Sequence, residues 1–402
     1  MTGALAGKRI IDLSTVIAGP LCARILGDYG ADVIKVEPPG GDPLRIAVPA
    51  RSRKMSAYHL LLNRNKRSLA LDLKKRDAID VVRRLAAGAD VLIHNMRPRA
   101  LERLGLDYES LNRANPKLVC TNIIGFGRHG PYRDRPAYDD LIQAMSGIAS
   151  LAARGKNGVP RYLPLNAVDR LTAVTAAHAT LAALVRQERT GRGQEVEVPM
   201  YENAIEFMLG DHMTGALYDP PLGNIGNARA VSPARRPFPT KNGAICVIPF
   251  TDKHWLKFCE VTGRTDYQSD ARFSSQEARA KNPEAVLDAM AAVLETRSTA
   301  EWLELFASSE IPHGPLHTLE DLLKDAHLKE VGFFVRRRHP TEGDMVVPRP
   351  AVWMSETPPS LARDAPIEGA ATREILRESG YDDAEIERLI ISGVAIEAAP
   401  QP

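Results

Sequence analysis

Cysteine is scarce and scattered in this chain of 402 residues. The four cysteines, Cys22, Cys120, Cys246 and Cys259, are far apart and form no CxxC pair. This spacing argues against a disulfide framework and against a structural zinc site. The ten histidines form no HExxH motif either, so the sequence predicts no metal site.

Long hydrophobic runs and a leader segment are also missing. No apolar run approaches the ~18 residues that a membrane span needs. The start, MTGALAGKRIIDLS, lacks the basic stretch and apolar core of a secretory signal. The formal net charge of +2, with few aromatics among the basic clusters, argues against a nucleic-acid partner. We therefore expect a cytoplasmic globular protein without a nucleic-acid or membrane partner.

Two common catalytic motifs are absent. The first strand–helix turn reads STVIAGPLC (14–22) rather than GxGxxG, and a dinucleotide pyrophosphate needs those glycines so that backbone amides can approach it. No GxSxG sequence appears, and no cysteine has the surroundings of a catalytic thiol. A nicotinamide-dependent dehydrogenase is therefore disfavoured, although Glu37 ends the second strand where a ribose-binding acid would lie.

Strand and helix patterns alternate through the first part of the chain. The segments KRIIDLS, DVIKVE, SLALDL, DVLIHN and KLVCTNIIGFG are strand-like and are separated by helical patterns. This alternation predicts a doubly wound α/β domain with a parallel sheet. A stretch rich in Gly, Pro, Asn and Arg at Asp219–Gly243 precedes a region that is typical of a smaller α+β domain.

Two basic clusters lie beside predicted strands, the first in the connection that leads to a strand and the second just after one. The segment RSRKMSAYHLLLNRNKR carries Arg51, Arg53, Lys54, Arg64, Lys66 and Arg67, and NMRPRALERLG carries Asn95, Arg97, Arg99 and Arg103. Ligands bind at the carboxyl edge of parallel sheets, and arginine grips phosphate oxygens with two hydrogen bonds, so a small polyanion would fit there. A solvated charged surface is the alternative for both clusters.

One acid, Asp169, lies in NAVDRLTAV at the start of a long helical pattern. Aspartate is favoured there because its oxygens accept the free amides of the first helical turn, so helix capping and catalysis are both open. The preceding loop, GFGRHGPYRDRPAYDDLIQAMSG, adds His129, Tyr138, Asp139 and Asp140. For these residues, too, capping of the following helix competes with acid–base chemistry.

In this order the motifs resemble those of the class III coenzyme A transferases, a family that contains formyl-CoA transferase, carnitine CoA-transferase and the α-methylacyl-CoA racemases. The resemblance runs from about Leu5 to Gly393. It rests on the segments VIAGPLCARILGDYGADVIKVEPPGGDPLR, LNRNKRSLALDLK, NMRPRALERLGLDYESL, GFGRHGPYRDRPAYDDLIQAMSG and DRLTAVTAAHATLAALVRQERTGRGQEVEVPMYENA.

The resemblance implies an α/β fold with a Rossmann-like large domain, a parallel sheet and a smaller α+β domain. Residues 1–215 would form the N-terminal part of the large CoA-binding domain, and residues 216–330 the small domain with its linkers. Residues 331–402 would return to the large domain. The family also implies that two such chains interlock as an intertwined homodimer.

The resemblance also implies roles for individual residues. Asp169 stands where the family's transferases carry their nucleophile. The implied coenzyme-binding surface, which turns the anion site into a site for the 3′-phospho-ADP group, comprises Val16, Ala18, Leu71, Asn95, Arg97, Arg103 and Tyr138. Coenzyme A and acyl-CoA would be substrates, and no metal or tightly bound cofactor is expected.

The implied reaction moves coenzyme A from an acyl-CoA donor to a carboxylic acid through aspartyl anhydride and aspartyl-CoA thioester intermediates. A racemase acting by α-proton transfer is one alternative. That branch carries a histidine where Tyr138 stands, and a tyrosine of pKa about 10 is a poor base at neutral pH. A non-catalytic CoA-binding protein is the other alternative, but it would not require an acid at Asp169.

The acceptor acid is less defined by the sequence. A group of arginines could receive a second carboxylate, which favours dicarboxylic acids: Arg161, Arg170, Arg235, Arg236, Arg336, Arg337 and Arg338. Solvated surface arginines are the alternative. The glycine-rich loop of the transferases is reduced here to Gly223 and Gly226, which weakens the substrate assignment more than the reaction.

Overall fold

The structure, a computed structural model, describes residues 3–151, 153 and 158–398. The chain divides into two compact units. The first comprises Met1–Ser146, Leu163–Glu206 and Val331–Pro402, and the second comprises Gly147–Tyr162 and Phe207–Glu330. Relative to the predicted boundaries at 216 and 331, the second unit also includes 147–162 and 207–215.

The secondary structure is numbered along the chain. The strands are β1 (Arg9–Asp12), β2 (Asp32–Glu37), β3 (Lys66–Leu71), β4 (Val91–His94), β5 (Val119–Ile124), β6 (Glu195–Pro199), β7 (Phe238–Thr240), β8 (Gly243–Val247), β9 (His313–Pro315), β10 (Phe334–His339), β11 (Gly343–Pro348) and β12 (Ala395–Ile396). The first α-helices are α1 (Ala18–Asp28), α2 (Ala57–Leu62), α3 (Arg76–Ala87), α4 (Pro98–Leu104), α5 (Tyr108–Ala114), α6 (Asp139–Met145), α7 (Ile148–Leu151), α8 (Ala167–Thr190) and α9 (Met200–His212). The later ones are α10 (Ala228–Val231), α11 (Asp252–Thr262), α12 (Asp266–Ser269), α13 (Gln276–Lys281), α14 (Pro283–Leu294), α15 (Thr299–Phe306), α16 (Leu319–Leu322), α17 (Ala326–Glu330), α18 (Thr372–Glu378) and α19 (Asp383–Ile391).

Short 3₁₀ helices lie at Pro43–Ile46 and Thr214–Leu217. Within the described ranges, no helix is both long and apolar enough to cross a membrane.

A seven-stranded sheet forms the centre of the first unit, in the order β12-β3-β2-β1-β4-β5-β6. Strands β1 to β6 run parallel, and β12 pairs antiparallel with β3 at the edge. The order 3-2-1-4-5-6 is that of a Rossmann fold, so the predicted doubly wound α/β domain is confirmed. The order reverses between β1 and β4, and in open parallel sheets ligands bind at the carboxyl edge beside such a switch point.

Hydrophobic side chains cover both faces of this sheet, because neighbouring residues of a strand point to opposite sides. Ile11 packs in a cluster with residues of α3, α5, α18 and α19, whereas Ile10 packs in a cluster with residues of α1 and α8. Helices α1 and α8 contact each other. Their shared cluster contains Ala23, Ala173 and Ala177, and small side chains of this kind allow two helices to approach closely.

A buried ionic network joins β1, β2 and β3. The Lys66 ammonium donates hydrogen bonds to the Asp12 carboxylate (2.8 Å), the Pro20 carbonyl (2.9 Å) and Asn63 (2.9 Å). All three of its protons therefore have acceptors, which makes burial of this cation tolerable. Burial lowers the pKa of Lys66 to about 8. Burial opposes ionisation of Asp12, but Lys35 and Lys66 outweigh it and hold the pKa of Asp12 below its ordinary value.

This network and its neighbours correct the predicted anion site in residues 51–67. Lys66 is occupied by Asp12, and Arg64 donates two hydrogen bonds to Asp28 (3.0 and 2.8 Å). Arg67 pairs with Asp32 (2.6 Å) and with two glutamates of α18. The prediction is wrong for these three cations, because protein carboxylates already take the donors that a polyanion would need.

The second unit is an α+β structure around a three-stranded antiparallel sheet, β7-β8-β9. Its core is aromatic: Trp255 stacks on Phe258, and Trp302 stacks on Phe306, with 5.6 Å between ring centroids in each pair. The Trp302 indole N–H donates to the Leu294 carbonyl (2.7 Å), so this large side chain is buried without an unpaired donor.

We predict that Lys66→Met destabilises the first unit by about 3–5 kcal/mol, because it leaves the Asp12 carboxylate buried without its closest counter-ion. Arg377→Met is the matched control, since Arg377 pairs with Asp383 at the surface (2.8 Å) and exposed pairs contribute ~0.2–1 kcal/mol. Urea unfolding followed by far-UV circular dichroism measures both changes. Equal free energies of unfolding for the two variants would contradict the structural importance of the Lys66–Asp12 pair.

Candidate active site

Asn95 joins the loops that follow β1 and β4 at the switch point of the sheet. Its amide oxygen accepts a hydrogen bond from the Thr15 N–H (3.0 Å), and its amide nitrogen donates to the Thr15 carbonyl (2.8 Å). Asn95 follows β4 and Thr15 follows β1, so this pair fixes the two loops that diverge at the switch point. The structure thereby brings the predicted residues Val16 and Asn95 into one neighbourhood.

Val16 has an unusual backbone conformation. Its φ angle is +70°, in the left-handed region that β-branched residues rarely adopt. The Asp42 carboxylate accepts a hydrogen bond from the Val16 N–H (3.1 Å) and another from the Lys35 ammonium (3.2 Å). Strained backbone persists only where its surroundings hold it, and such positions are common at functional sites.

The side chains of Ala18 and Leu71 are buried and are not available to a ligand. Ala18 begins α1, where the N-cap residue Ile17 provides no side-chain acceptor for the first amides. The Ala18 side chain is buried in the cluster between α1 and α8. The Leu71 side chain is fully buried at the end of β3.

The other predicted coenzyme contacts lie on the surface of the first unit. Arg97 precedes α4 and Arg103 lies in its last turn; both are exposed, and neither side chain has a partner among the described residues. Arg99 differs, because it pairs with Asp134 (3.3 Å). Tyr138, directly before α6, is 71% exposed. Two unpaired guanidinium groups suit recognition of phosphate.

Asp169 is the third residue of α8. Its carboxylate does not cap the helix; instead, its backbone N–H is capped by another side chain. That N–H donates to the Asp139 carboxylate (2.9 Å). The Asp169 carboxylate accepts no hydrogen bond from any residue that the structure describes. Helix capping by the Asp169 oxygens, one of the two roles that the sequence leaves open, is therefore not seen among the described residues. Burial, with a contribution from the Asp139 charge, raises the pKa of Asp169 to about 7, although Arg170 opposes the shift.

Asp139 is the centre of the contacts that position Asp169. It is buried at the start of α6, and its second carboxylate oxygen accepts a hydrogen bond from the Gln143 amide. The Gln143 oxygen in turn accepts from the Leu163 N–H (2.8 Å), in the segment that leads into α8. Gln143 is not among the residues predicted from the sequence, although its spacing of four residues from Asp139 on one helix was an available signal.

The structure separates the predicted residues into two groups. Val16, Ala18 and Asn95 lie at the switch point, whereas Asp169 lies with Asp139 at the junction of α6 and α8. Among the described residues, no hydrogen bond or ion pair joins Asp169 to Val16, Asn95, Arg97 or Arg103.

The arginines that could receive a second carboxylate are dispersed. Arg170, next to Asp169, and Arg161 are exposed. Arg235 and Arg236 line a cavity of the second unit. Arg337 is tied to Asp364 (2.9 Å), while its neighbours on β10, Arg336 and Arg338, are exposed. Gly226, one of the two loop glycines, has a φ of +114°, and Gly223 packs against the backbone of Gly215.

No group of three His, Cys, Asp or Glu side chains that could hold a metal ion occurs in the part of the chain that the structure describes. His313 and His317 are four residues apart, but Gly314 and Pro315 lie between them and His313 is part of β9.

Known proteins are similar to this chain over most of its length. The sequence pattern of CoA-transferase family III matches residues 5–372. Succinyl-CoA:glutarate CoA-transferase of Mus musculus is 32% identical over 97% of this chain and 90% of its own length. Formyl-CoA:oxalate CoA-transferase of Rhodopseudomonas palustris is 31% identical over 98% of this chain and 97% of its own. The crystal structure of Rv3272 from Mycobacterium tuberculosis superposes with a TM-score of 0.82 at 28% identity, covering 93% of this chain and 99% of that one.

We predict that Asp139→Asn lowers the pKa of Asp169 from about 7 toward the ordinary aspartate value. The asparagine retains an oxygen for the Asp169 N–H but removes the like charge that disfavours ionisation. Carbon-13 NMR of the side-chain carboxyl groups measures the pKa, with the Asp169 signal identified by its loss in Asp169→Asn. Asp140→Asn, which removes an exposed neighbouring charge, should change it far less. An unchanged Asp169 pKa in Asp139→Asn would refute the coupling.

Proposed function

The chain belongs to CoA-transferase family III, and from this premise we propose that it moves coenzyme A from an acyl-CoA donor to a carboxylic acid through covalent intermediates on Asp169. The observation that carries the assignment is the state of the Asp169 carboxylate. It is partly buried, its backbone is held by Asp139, and its oxygens are not occupied by any described hydrogen-bond donor. A positioned carboxylate with free lone pairs is what nucleophilic attack requires.

The raised pKa of Asp169 suits this role. A carboxylate that binds protons more tightly is also a stronger nucleophile once it is ionised, and a pKa of about 7 leaves a large ionised fraction at neutral pH. The reaction should therefore slow as the pH falls below about 7, because protonation removes the attacking electron pair. Desolvation has a second effect, since it keeps water away from an anhydride that would otherwise hydrolyse.

In the proposed reaction, the Asp169 carboxylate attacks the thioester carbonyl and the C–S bond breaks. Coenzyme A leaves as its thiolate, and the donor's acyl group remains on Asp169 as a mixed anhydride. The thiolate then attacks the aspartyl carbonyl of the anhydride and releases the donor acid. This second step leaves an aspartyl-CoA thioester. The acceptor carboxylate attacks that thioester, the C–S bond breaks, and a second anhydride forms between the acceptor and Asp169. The thiolate then attacks the acceptor's acyl carbon, which gives the new acyl-CoA and restores the Asp169 carboxylate. Proton donors are not needed at any step, because carboxylates and thiolate are the leaving groups.

The coenzyme is proposed to bind at the switch point of the sheet. The uncapped amides at Ala18, the rigid loop at Val16 and the Asn95 bridge would receive its polar groups, with only the backbone of Leu71 available. Arg97 and Arg103, together with the exposed Tyr138, would contact the phosphate and adenine end, since the described residues leave both guanidinium groups unpaired. The proposal retains the interlocked homodimer and the cytoplasmic location that the sequence suggests.

A dicarboxylic acceptor is the proposed substrate class. Two similar proteins are named for glutarate and for oxalate, both dicarboxylic acids. Arg170 is the best-placed cation for the second carboxylate, because it follows Asp169 in α8, interacts electrostatically with it and is exposed. A hydrogen-bonded arginine–carboxylate pair contributes about 1.5–3 kcal/mol, enough to select between acids.

We predict that Asp169→Asn reduces CoA transfer by roughly 10³-fold or more, because it removes the attacking oxygen, while binding of free coenzyme A is retained. Asp140→Asn is the matched control and should retain most of the activity. Hydroxylamine should trap an acyl-type adduct on Asp169 when wild-type protein receives acyl-CoA without an acceptor. Substantial transfer by Asp169→Asn would contradict the mechanism, and loss of α-deuterium from a 2-methylacyl-CoA without acceptor would support a racemase instead.

A panel of acceptors tests the substrate class, with succinyl-CoA and acetyl-CoA as donors. We expect kcat/KM to be about tenfold higher for succinate and glutarate than for monocarboxylates of the same length. Arg170→Gln should reduce the ratio of kcat/KM for dicarboxylates to kcat/KM for monocarboxylates. A change in the Asp169 pKa does not affect this ratio, because both classes of acid use the same nucleophile. Arg189→Gln, an exposed arginine at the other end of α8, is the control. Equal rates for both classes in wild-type protein would exclude a dicarboxylate site.

A further inference from the structure

A cavity of about 510 Å³ lies entirely within the second unit. Residues of β7, β8, α13 and α14 line it, and most of its wall is hydrocarbon, including Phe238, Val247, Leu287 and Met290. Cavities of this volume and character commonly hold small organic molecules in proteins.

Three arginines, Arg229, Arg235 and Arg236, line the same cavity. None of their side chains has a hydrogen-bond or ion-pair partner among the described residues, and none of the described lining residues is an aspartate or glutamate. Arg279 also reaches the cavity, but it pairs with Asp252 (2.7 Å) and its charge is already balanced. Three unbalanced guanidinium groups beside a hydrocarbon wall would attract an anion that also has an apolar part.

Arg229 lies in α10, and Arg235 and Arg236 are carried by the short, restricted segment that joins α10 to β7. Pro233, Pro237 and Pro239 fix the φ angles along it. The Arg235 N–H donates to the Ser232 carbonyl (3.0 Å), and Phe238 pairs with Ile245 in the sheet. A cationic segment that is ordered in this way loses little conformational freedom when an anion binds.

We propose that this cavity binds an organic carboxylate with an apolar body, of the size of a medium-chain fatty acid. The carboxylate would pair with Arg235 and Arg236, and the hydrocarbon would lie against Leu287 and Met290. A short dicarboxylate would leave the apolar wall uncovered, and a neutral hydrocarbon would leave the arginines unpaired. This inference goes beyond the proposed function, because it involves neither Asp169 nor coenzyme A.

Cys246 provides a reporter for the cavity. It lines the cavity and is exposed, whereas the other three cysteines of the chain are buried. Iodoacetamide, a small neutral reagent, should therefore alkylate Cys246 first, and a ligand in the cavity should slow that reaction. Peptide mass spectrometry identifies the modified cysteine.

The experiment uses the full chain carrying Asp169→Asn, with octanoate, octanol and succinate as probes. We expect octanoate to protect Cys246 at concentrations about tenfold lower than octanol or succinate, because only octanoate uses both the arginines and the wall. The double variant Arg235→Gln/Arg236→Gln should remove this tenfold advantage and leave protection by octanol unchanged. Arg297→Gln, an exposed arginine of the same unit outside the cavity, is the control and should behave as the parent protein.

Each other outcome would overturn the proposal. Equal protection by succinate would indicate a simple anion site, and equal protection by octanol would indicate an apolar cavity without charge recognition. A Cys246 that resists alkylation in the ligand-free protein would indicate that another part of the assembly, such as a second copy, covers the cavity. Because the Asp169→Asn background performs no proposed transfer chemistry, these outcomes are independent of whether Asp169 is the nucleophile.

Discussion

The first unit depends on a buried pair of opposite charges, Lys66 and Asp12. Both are fully enclosed, and a buried charge that loses its partner costs several kcal/mol, so β1 and β3 must be placed where the ammonium can reach the carboxylate. Asp12 ends β1, and the loop that begins there carries Thr15 and Val16. The ion pair therefore fixes the end of β1 from which this loop leaves, and the Asp42 carboxylate accepts the Val16 N–H of the same loop.

The balance of burial and neighbouring charges lowers the pKa of Asp12 but raises that of Asp169. Its carboxylate is partly buried and has a like charge, Asp139, as its neighbour, and these two effects on its pKa outweigh that of Arg170. Asp139 uses one oxygen for the Asp169 N–H and the other for Gln143, so it orients the backbone of Asp169 while it disfavours ionisation of the side chain. Asp139 thus positions Asp169 and at the same time makes its carboxyl group less acidic. A less acidic carboxylate is the better nucleophile when it is ionised.

Local patterns were sufficient for the architecture of the first unit. Strands such as VLIH of β4 are buried along their whole length, which is typical of a parallel sheet, and their alternation with helices left few possible topologies. Partners distant in sequence were not predictable: Lys66 meets Asp12 across 54 residues, and Asp139 reaches Asp169 across 30. For that reason the sequence alone suggests an anion site for the cations of residues 51–67 and leaves helix capping open for Asp169.

The central claim is that the Asp169 carboxylate becomes covalently bonded during each turnover, and oxygen-18 tests it directly. In the proposed sequence, the acceptor's oxygen becomes the bridging atom of the second anhydride and remains on Asp169 when the thiolate takes the acyl group. Turnover with an acceptor labelled with oxygen-18 in its carboxylate should therefore place the label in the peptide that contains Asp169, as read by mass spectrometry. Full turnover that leaves this peptide unlabelled would contradict the account.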